Sequence, residues 1–222
     1  MSRNKKNKVY GIIGPSGKGK TTLISILGAQ IKPDSGSILV NNIPIYNVSD
    51  TLRQRVIAMQ MQSATSLRGK LRRGLLFGMQ EGGDLTKIYS DKQLVEVLEN
   101  VGLWDIFEEK DGLDTLIGEG GLNLSGGQRQ RLNFASLYLR AKFYQPSLIL
   151  IEEPTSSLDE ISEKAITKMI MELGQIGITL VVAHRLKTLQ EAAGILDFSE
   201  LENETNLNFY THSELAKKSK YM

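Results

Sequence analysis

The chain has no cysteine, which excludes disulfides and thiolate chemistry and leaves a reducing compartment permitted but not required. It has no apolar run approaching the ~18–20 residues that cross a bilayer. The basic start MSRNKKNK leads into Val9–Ile13, too short for the apolar region of a signal peptide. A strong charge of either sign is also missing. The formal net charge of +2 argues neither for nor against nucleic acid or anionic membrane. Basic residues gather only at the ends, as Arg3, Lys5, Lys6, Lys8 and as Lys217, Lys218, Lys220, and read as solvated tails. No internal repeat and no low-complexity tract interrupts the chain. The expectation is a soluble chain whose membrane role, if any, needs a partner.

What is there is one sizeable domain's worth of chain, 222 residues with 41% apolar side chains, enough for a real core. Short β-branched runs alternate with helical patterns, which predicts an α/β fold with a mostly parallel sheet flanked by helices. Val9–Ile13 reads as a strand, followed by a glycine loop and a helix over 20–30 with Leu23, Ile26, Leu27 and Ile31 on one face. Strands are predicted at 37–40 and 56–61, and again at 148–151 and 178–182. Residues 66–140 change character and read as a helical subdomain, with Asp91 as an N-cap and Leu94, Val95, Leu98 and Val101 on one stripe. The sheet domain then comprises 1–65 and 141–222. A helix carrying Ile166, Met169, Ile170 and Leu173 separates the last two strands. Trp104, Met59 and Met61 read as core.

Three motifs carry chemistry. Gly14, Pro15, Ser16, Gly17, Lys18, Gly19, Lys20, Thr21 and Thr22 match G-x-x-x-x-G-K-[ST] between a strand and a helix. Glycines let the backbone wrap phosphates, and the helix start offers free N–H groups and the positive end of its dipole. Lys20 is placed to meet the β- and γ-phosphates, and the Thr21 hydroxyl to hold Mg²⁺. The second motif is an apolar strand that ends in Glu152 and Glu153. Ligands of parallel sheets sit beyond the carboxyl ends of strands. There one acid serves Mg²⁺ and the next activates the attacking water. The third, Leu124 through Arg131 (LSGGQRQR), has two readings on physics alone. Ser125 caps a helix whose apolar face carries Leu132, Ala135 and Leu139, or the glycines and capped start form a second anion site.

LSGGQRQR, the phosphate loop, the acid-ended strand with Ser157, Leu158 and Asp159 beyond it, and Ala183, His184, Arg185, Leu186 together resemble the nucleotide-binding domain of an ABC transporter. GEGGLNLSGGQRQR, AHRL and the closing Thr211–His212–Ser213–Glu214–Leu215 run resemble the exporter branch. The resemblance implies a P-loop NTPase fold with an inserted helical subdomain and a reduced antiparallel edge. It also implies a head-to-tail dimer with a second nucleotide-binding domain around two ATP molecules. Ser125, Gly126, Gly127 and Gln128 of one chain would close on the γ-phosphate held by the other. Glu153 matches the catalytic carboxylate, His184 the histidine that contacts the γ-phosphate, and Asp159 the loop that communicates across the dimer. Gln62 matches the glutamine that touches Mg²⁺ and water. Gln60 competes with it, but counting on to Gly69 and Gly78 reproduces the family spacing for Gln62. The implied partner is a transmembrane domain on a separate polypeptide, with this chain on the cytoplasmic face of the membrane and no nucleic acid expected. His212 reads as surface.

The sequence departs from that family pattern. Thirteen residues precede the first motif where the family has about two dozen, including an aromatic that stacks on adenine. Tyr10 lies inside the strand and is not that aromatic. Base stacking is worth ~1–3 kcal/mol in single-strand complexes, so its loss is expected to weaken binding and blur ATP/GTP choice. Glu152 stands where the family has an aspartate, and an extra methylene is expected to slow turnover because Mg²⁺ tolerates little distortion. Ser136 and Gly120 stand where arginines are usual. Residues 141–145 lengthen the connection to Pro146. Two rival functions follow: a nucleotide-gated regulatory module with little hydrolysis, and a soluble non-transport ABC ATPase.

Overall fold

The computed structural model describes residues 8–61, 68–79, 88–155, 160–199 and 208–218. Ten strands and eight α-helices are found among them. The frame is a six-stranded sheet of β1 (Val9–Ile13), β4 (Ile57–Gln60), β7 (Leu148–Glu152), β8 (Ile178–Val182), β9 (Gly194–Asp197) and β10 (Phe209–Tyr210), in the order β10-β9-β1-β8-β7-β4. All neighbours run parallel except β10 on β9. This is the α/β sheet expected of a P-loop fold. Val9 pairs with Thr179 and Ile149 also pairs with Thr179, so β8 lies between β1 and β7.

Side chains alternate across a strand, and both faces of this sheet are apolar, as parallel sheets require. Ile149 and Ile151 enter one core and Leu148 and Leu150 the other. The second core is closed by Ile24 of helix α1 (Lys20–Leu27). The first packs against α6 (Gly126–Tyr144) and α7 (Glu160–Leu173), which supply Phe134, Leu137, Ile166, Ile170 and Leu173. Each such buried side chain is worth about 1.5–3 kcal/mol.

Between β4 and α6 lie β5 (Gly69–Lys70), α3 (Leu71–Leu75), α4 (Asp91–Asn100), α5 (Trp104–Glu108) and β6 (Leu116–Ile117). Among the described residues this segment holds three α-helices, but β5 and β6 also pair antiparallel inside it. Two residues of alternating pattern are too short a signal to read from sequence. The N-cap of α4 is Ser90, one residue before the expected Asp91. Ser90 and Gln93 form a reciprocal capping box, and Asp91 begins the helix.

Other boundaries moved as well. α1 stops at Leu27, and Ile31 lies beyond it, 51% exposed. The expected strand 37–40 shrinks to β2 (Leu39–Val40), paired with β3 (Ile43–Pro44). Asn41 and Asn42 turn between them at φ 51° and 63°, as a two-residue hairpin of left-handed residues demands. β2 and β3 form a small antiparallel sheet separate from the main one. Helix α2 (Asp50–Val56) leads into β4 and is capped by Ser49.

The lengthening at 141–145 is helix rather than loop. α6 runs on to Tyr144, and Gln145 ends it in the left-handed conformation. The C-terminal half of α6 is anchored to α7, where the Tyr138 hydroxyl donates to Glu172 and Lys142 Nζ lies 3.2 Å from the same carboxylate. α6 is also buried more fully than its expected stripe of Leu132, Ala135 and Leu139, because α3, α4, α7 and β4 surround it. Trp104, Met59 and Met61 are half-buried at the edges of the two cores. Among the described residues no helix is long and apolar enough to cross a membrane.

Candidate nucleotide-binding site

β1, β8 and β7 are adjacent and parallel, so their carboxyl ends open on the same side. β1 delivers the glycine loop, β7 delivers Glu152 and Glu153, and β8 leads to Ala183 and His184. Together they frame a cleft of about 350 Å³ lined by Ser16, Gly17, Gly19, Lys20, Thr21, Thr22, Glu152, Glu153 and His184. Gly14 and Pro15 stand behind it, where their carbonyls accept from Lys20 Nζ at 2.7 and 2.8 Å. Lys18 is exposed and is not part of the cleft lining.

The loop takes its shape from backbone conformations that side chains rarely adopt. Gly17 and Gly19 hold φ of 80° and 87°, which glycine enters at no steric cost. Gly19 is also the N-cap of α1 and brings no side chain to the helix's first N–H groups. No acid sits in the first turn of α1. Its N–H groups and positive dipole end therefore face the cleft uncompensated, a ready site for an anion.

The acids opposite are buried. Glu152 is 1% exposed and accepts from the Thr21 hydroxyl. Glu153 has a left-handed backbone at φ 51°. Its N–H donates to Val182 O at 2.8 Å, and its Oε1 lies 2.5 Å from His184 Nε2. His184 itself is half-exposed at the cleft mouth.

A second layer fixes these groups. Glu163 of α7 is buried and accepts from Thr188 Oγ1 at 3.1 Å and from Arg185 Nη1 at 3.2 Å. Since Thr188 spends its proton on that carboxylate, Thr155 is the donor in the 3.0 Å Thr155–Thr188 contact. The turn after β7 is thereby tied to the segment that carries His184.

Ser125, Gly126, Gly127 and Gln128 do not line this cleft. They form the start of α6, where Ser125 and Gln128 make a capping box. Ser125 and Gly126 are exposed. A methyl group added at Gly126 or Gly127 meets no atom within 4 Å among the described residues. Gln62 and Asp159 lie outside the described residues. Gln60, the competitor, is buried at the end of β4 and donates to Gln130 O at 3.2 Å. Ser136 reaches Gly74 O at 3.4 Å, and Gly120 takes φ 78° in a turn closed by Gly121 N–H on Gly118 O. His212 opens the short helix α8 (His212–Ala216), away from the cleft lining.

A family model described as ABC transporter matches residues 3–156. The chain belongs to the ABC transporter ATP-binding family. Among its relatives is an uncharacterized ABC transporter ATP-binding protein of Bacillus subtilis, 36% identical over 85% of this chain and 31% of that protein. A multidrug resistance ABC transporter ATP-binding and permease protein of Lactococcus lactis is 36% identical over 84% of this chain and 30% of its own length. The ABC domain also superposes on a bacterial Atm1-family ABC exporter with ATP bound, with TM-score 0.77 and 25% identity over 97% of this chain and 36% of that one. The chain thus spans about a third of the length of the relatives it matches.

One participant went unnoticed in the sequence. Gln130, inside α6, is buried and donates through Nε2 to the backbone carbonyl of Glu153. A glutamine on a helix carries no mark of such a role. Gln60 did carry one, as a polar residue closing an otherwise apolar strand.

Proposed function

We propose that this chain is the ATP-hydrolysing module of an ABC exporter and works as a head-to-tail pair with a second nucleotide-binding domain. The observation that carries the reading is the convergence of Lys20, Thr21, Glu152, Glu153 and His184 on one cleft. ATP would lie along the loop with its phosphates on the N–H groups of α1. Lys20 would exchange its bonds to the Gly14 and Pro15 carbonyls for the β- and γ-phosphate oxygens. Thr21 and Glu152 offer a hydroxyl and one carboxylate in contact, a hard-oxygen pair that suits Mg²⁺ bound largely through phosphates and water. When bound, that ion would offset charge on the phosphates.

Glu153 would orient a water in line with the γ-phosphorus and draw off its proton as the bond to ADP breaks. His184, 2.5 Å from that carboxylate, would stabilise charge on the γ-phosphate oxygens. Gln62 and Asp159 are assigned by resemblance to Mg²⁺-bound water and to communication across the dimer. Ser125, Gly126, Gly127 and Gln128 would meet the γ-phosphate held by the partner. Glycine in a helix costs about 1 kcal/mol relative to alanine, and nothing among the described residues calls for it at Gly126 or Gly127. Close approach from outside supplies a reason.

Several relatives carry names that join an ATP-binding part to a permease, three of them as export proteins. That supports a transmembrane partner, with this chain at the cytoplasmic face. The separate polypeptide for the membrane domain is part of the proposal.

The test is steady-state phosphate release from Mg²⁺-ATP by the purified chain, beside Lys20→Ala and Glu153→Gln. Losing the general base is expected to lower kcat by about 10²–10⁴-fold. Turnover indifferent to Glu153→Gln would sink the assignment of the base. Glu152→Asp is expected to raise kcat a few-fold, by shortening the reach to Mg²⁺ toward octahedral geometry.

A further inference from the structure

A polar thread runs from the end of β4 through α6 to the end of β7. Gln60 at the end of β4 is 6% exposed and donates through Nε2 to the Gln130 carbonyl at 3.2 Å. Gln130 on α6 is 8% exposed and donates through its own Nε2 to the Glu153 carbonyl. The Gln60 Oε1 is buried without a hydrogen-bond partner among the described residues. Two buried glutamines and one unmatched oxygen are costly where aliphatic side chains would pack.

Glu153 sits at the far end of the thread in a conformation that non-glycine residues avoid, φ 51°. Such a backbone persists only where its surroundings over-determine it. Here both of its peptide groups are fixed. The N–H is held by Val182 O of β8 at 2.8 Å, and the C=O by Gln130. With the backbone so held, the side chain leaves the strand end toward His184 and the cleft. Without the Gln130 donor, the buried carbonyl loses that bond and a turn to the right-handed or extended region costs less. That turn re-aims the carboxylate.

We infer that Gln130 is a positioning residue for the water-activating Glu153, holding its left-handed backbone through the Glu153 carbonyl. The inference rests on the hydrolytic role proposed for Glu153. It adds that the helix beginning at Ser125 reaches the reacting carboxylate of its own chain through Gln130. Thus the same helix has its exposed start at Ser125 and Gly126 and its buried hold on Glu153 within two turns.

The test uses the full chain with Gln130→Met, which keeps the reach and removes the donor, and Gln130→Glu, which donates only when protonated. For Gln130→Met, kcat is expected to fall about tenfold or more, the effect of about 1.4 kcal/mol in the barrier, with KM for ATP within twofold. For Gln130→Glu, activity relative to wild type at the same pH is expected to rise as the pH falls, because burial favours the neutral carboxyl. Independently of turnover, the three-bond HN–Hα coupling and carbonyl carbon shift of Glu153 are expected to leave their left-handed values in Gln130→Met. An unchanged kcat, or a Glu153 that stays left-handed in Gln130→Met, overturns the inference. Equal losses in kcat and ATP affinity overturn it as well, since they mark a merely structural role. If Gln130→Met does not fold, the pH profile of Gln130→Glu decides. If wild type hydrolyses no ATP while Glu153 still loses its left-handed signature, the proposed function fails and the backbone hold stands.

Discussion

Two helices of this chain have glycine at their start, and they begin differently. α1 starts behind Gly19, whose φ of 87° and missing side chain leave the first N–H groups uncapped. α6 starts behind Ser125, whose box with Gln128 closes the helix end from within. Its glycines are ordinary helical residues, with no positive φ and no crowding. Neither helix has an acid in its first turn, whereas α4 has Asp91 and α7 has Glu160 and Glu163. The lesson is that glycine answers two different needs. In the phosphate loop the chain's own backbone requires it. At α6 no described residue does, which agrees with the close approach proposed from a partner.

Three substitutions test that contrast, in falling order of effect. Gly19→Ala meets no neighbour yet must hold a left-handed backbone, which costs roughly 1–2 kcal/mol. Its melting temperature and ATP affinity are both expected to drop. Retention of both would show that the loop shape is not what glycine secures. Gly127→Ala is expected to act in the opposite sense on the chain alone, adding up to ~1 kcal/mol to unfolding free energy in urea. ATP-dependent pairing and turnover should fall in the same variant. A gain in stability with full turnover would break the contrast, because it removes the need for an outside approach.

The smallest effect concerns a helix that supplies its own acid. Arg72 donates two bonds to the Asp91 carboxylate and holds its pKa below the ordinary value. A depressed pKa stabilises the fold above the unfolded-state value near ~3.9, and this contribution disappears as pH falls through the folded-state value. Asp91→Asn should therefore be slightly less stable than wild type at neutral pH and converge with it in acid, read as the difference between two urea midpoints across pH. A gap that widens toward acid would contradict that assignment.

Much of this was legible in the residues, for physical reasons. β1 and β8 fall on the expected boundaries because β-branched runs flanked by turn residues have few alternatives. The cleft residues were readable because phosphate binding needs glycine, lysine and a hydroxyl at fixed spacing. What the sequence did not disclose depends on neighbours distant in the chain. The burial of α6 on nearly all sides follows from being enclosed by other helices and β4, and no single-helix period encodes that. The left-handed turn at Glu153 is imposed by Val182 and Gln130, since glutamate has no preference for it. The hairpin at Asn41 and Asn42 did carry a local signal, two residues tolerant of positive φ between apolar runs. The end of α6 at Tyr144 again depends on a distant neighbour, since Tyr138 and Lys142 meet Glu172 of α7.

The pairing of β1 has a consequence for how the molecule comes into being. Its residues find their sheet neighbours only in β8 and β9, Val9 against Thr179 and Tyr10 against Gly194. The strand that carries the phosphate loop is thus synthesised well before either of its neighbours and is enclosed only when they arrive. Contacts so distant in sequence make folding slow, and an apolar strand without neighbours is exposed to aggregation meanwhile. A nascent chain ending before residue 178 would carry every letter of the glycine motif and still have no frame to hold it. Nucleotide binding should therefore emerge on the ribosome in a single late step, once β8 and β9 have left the tunnel.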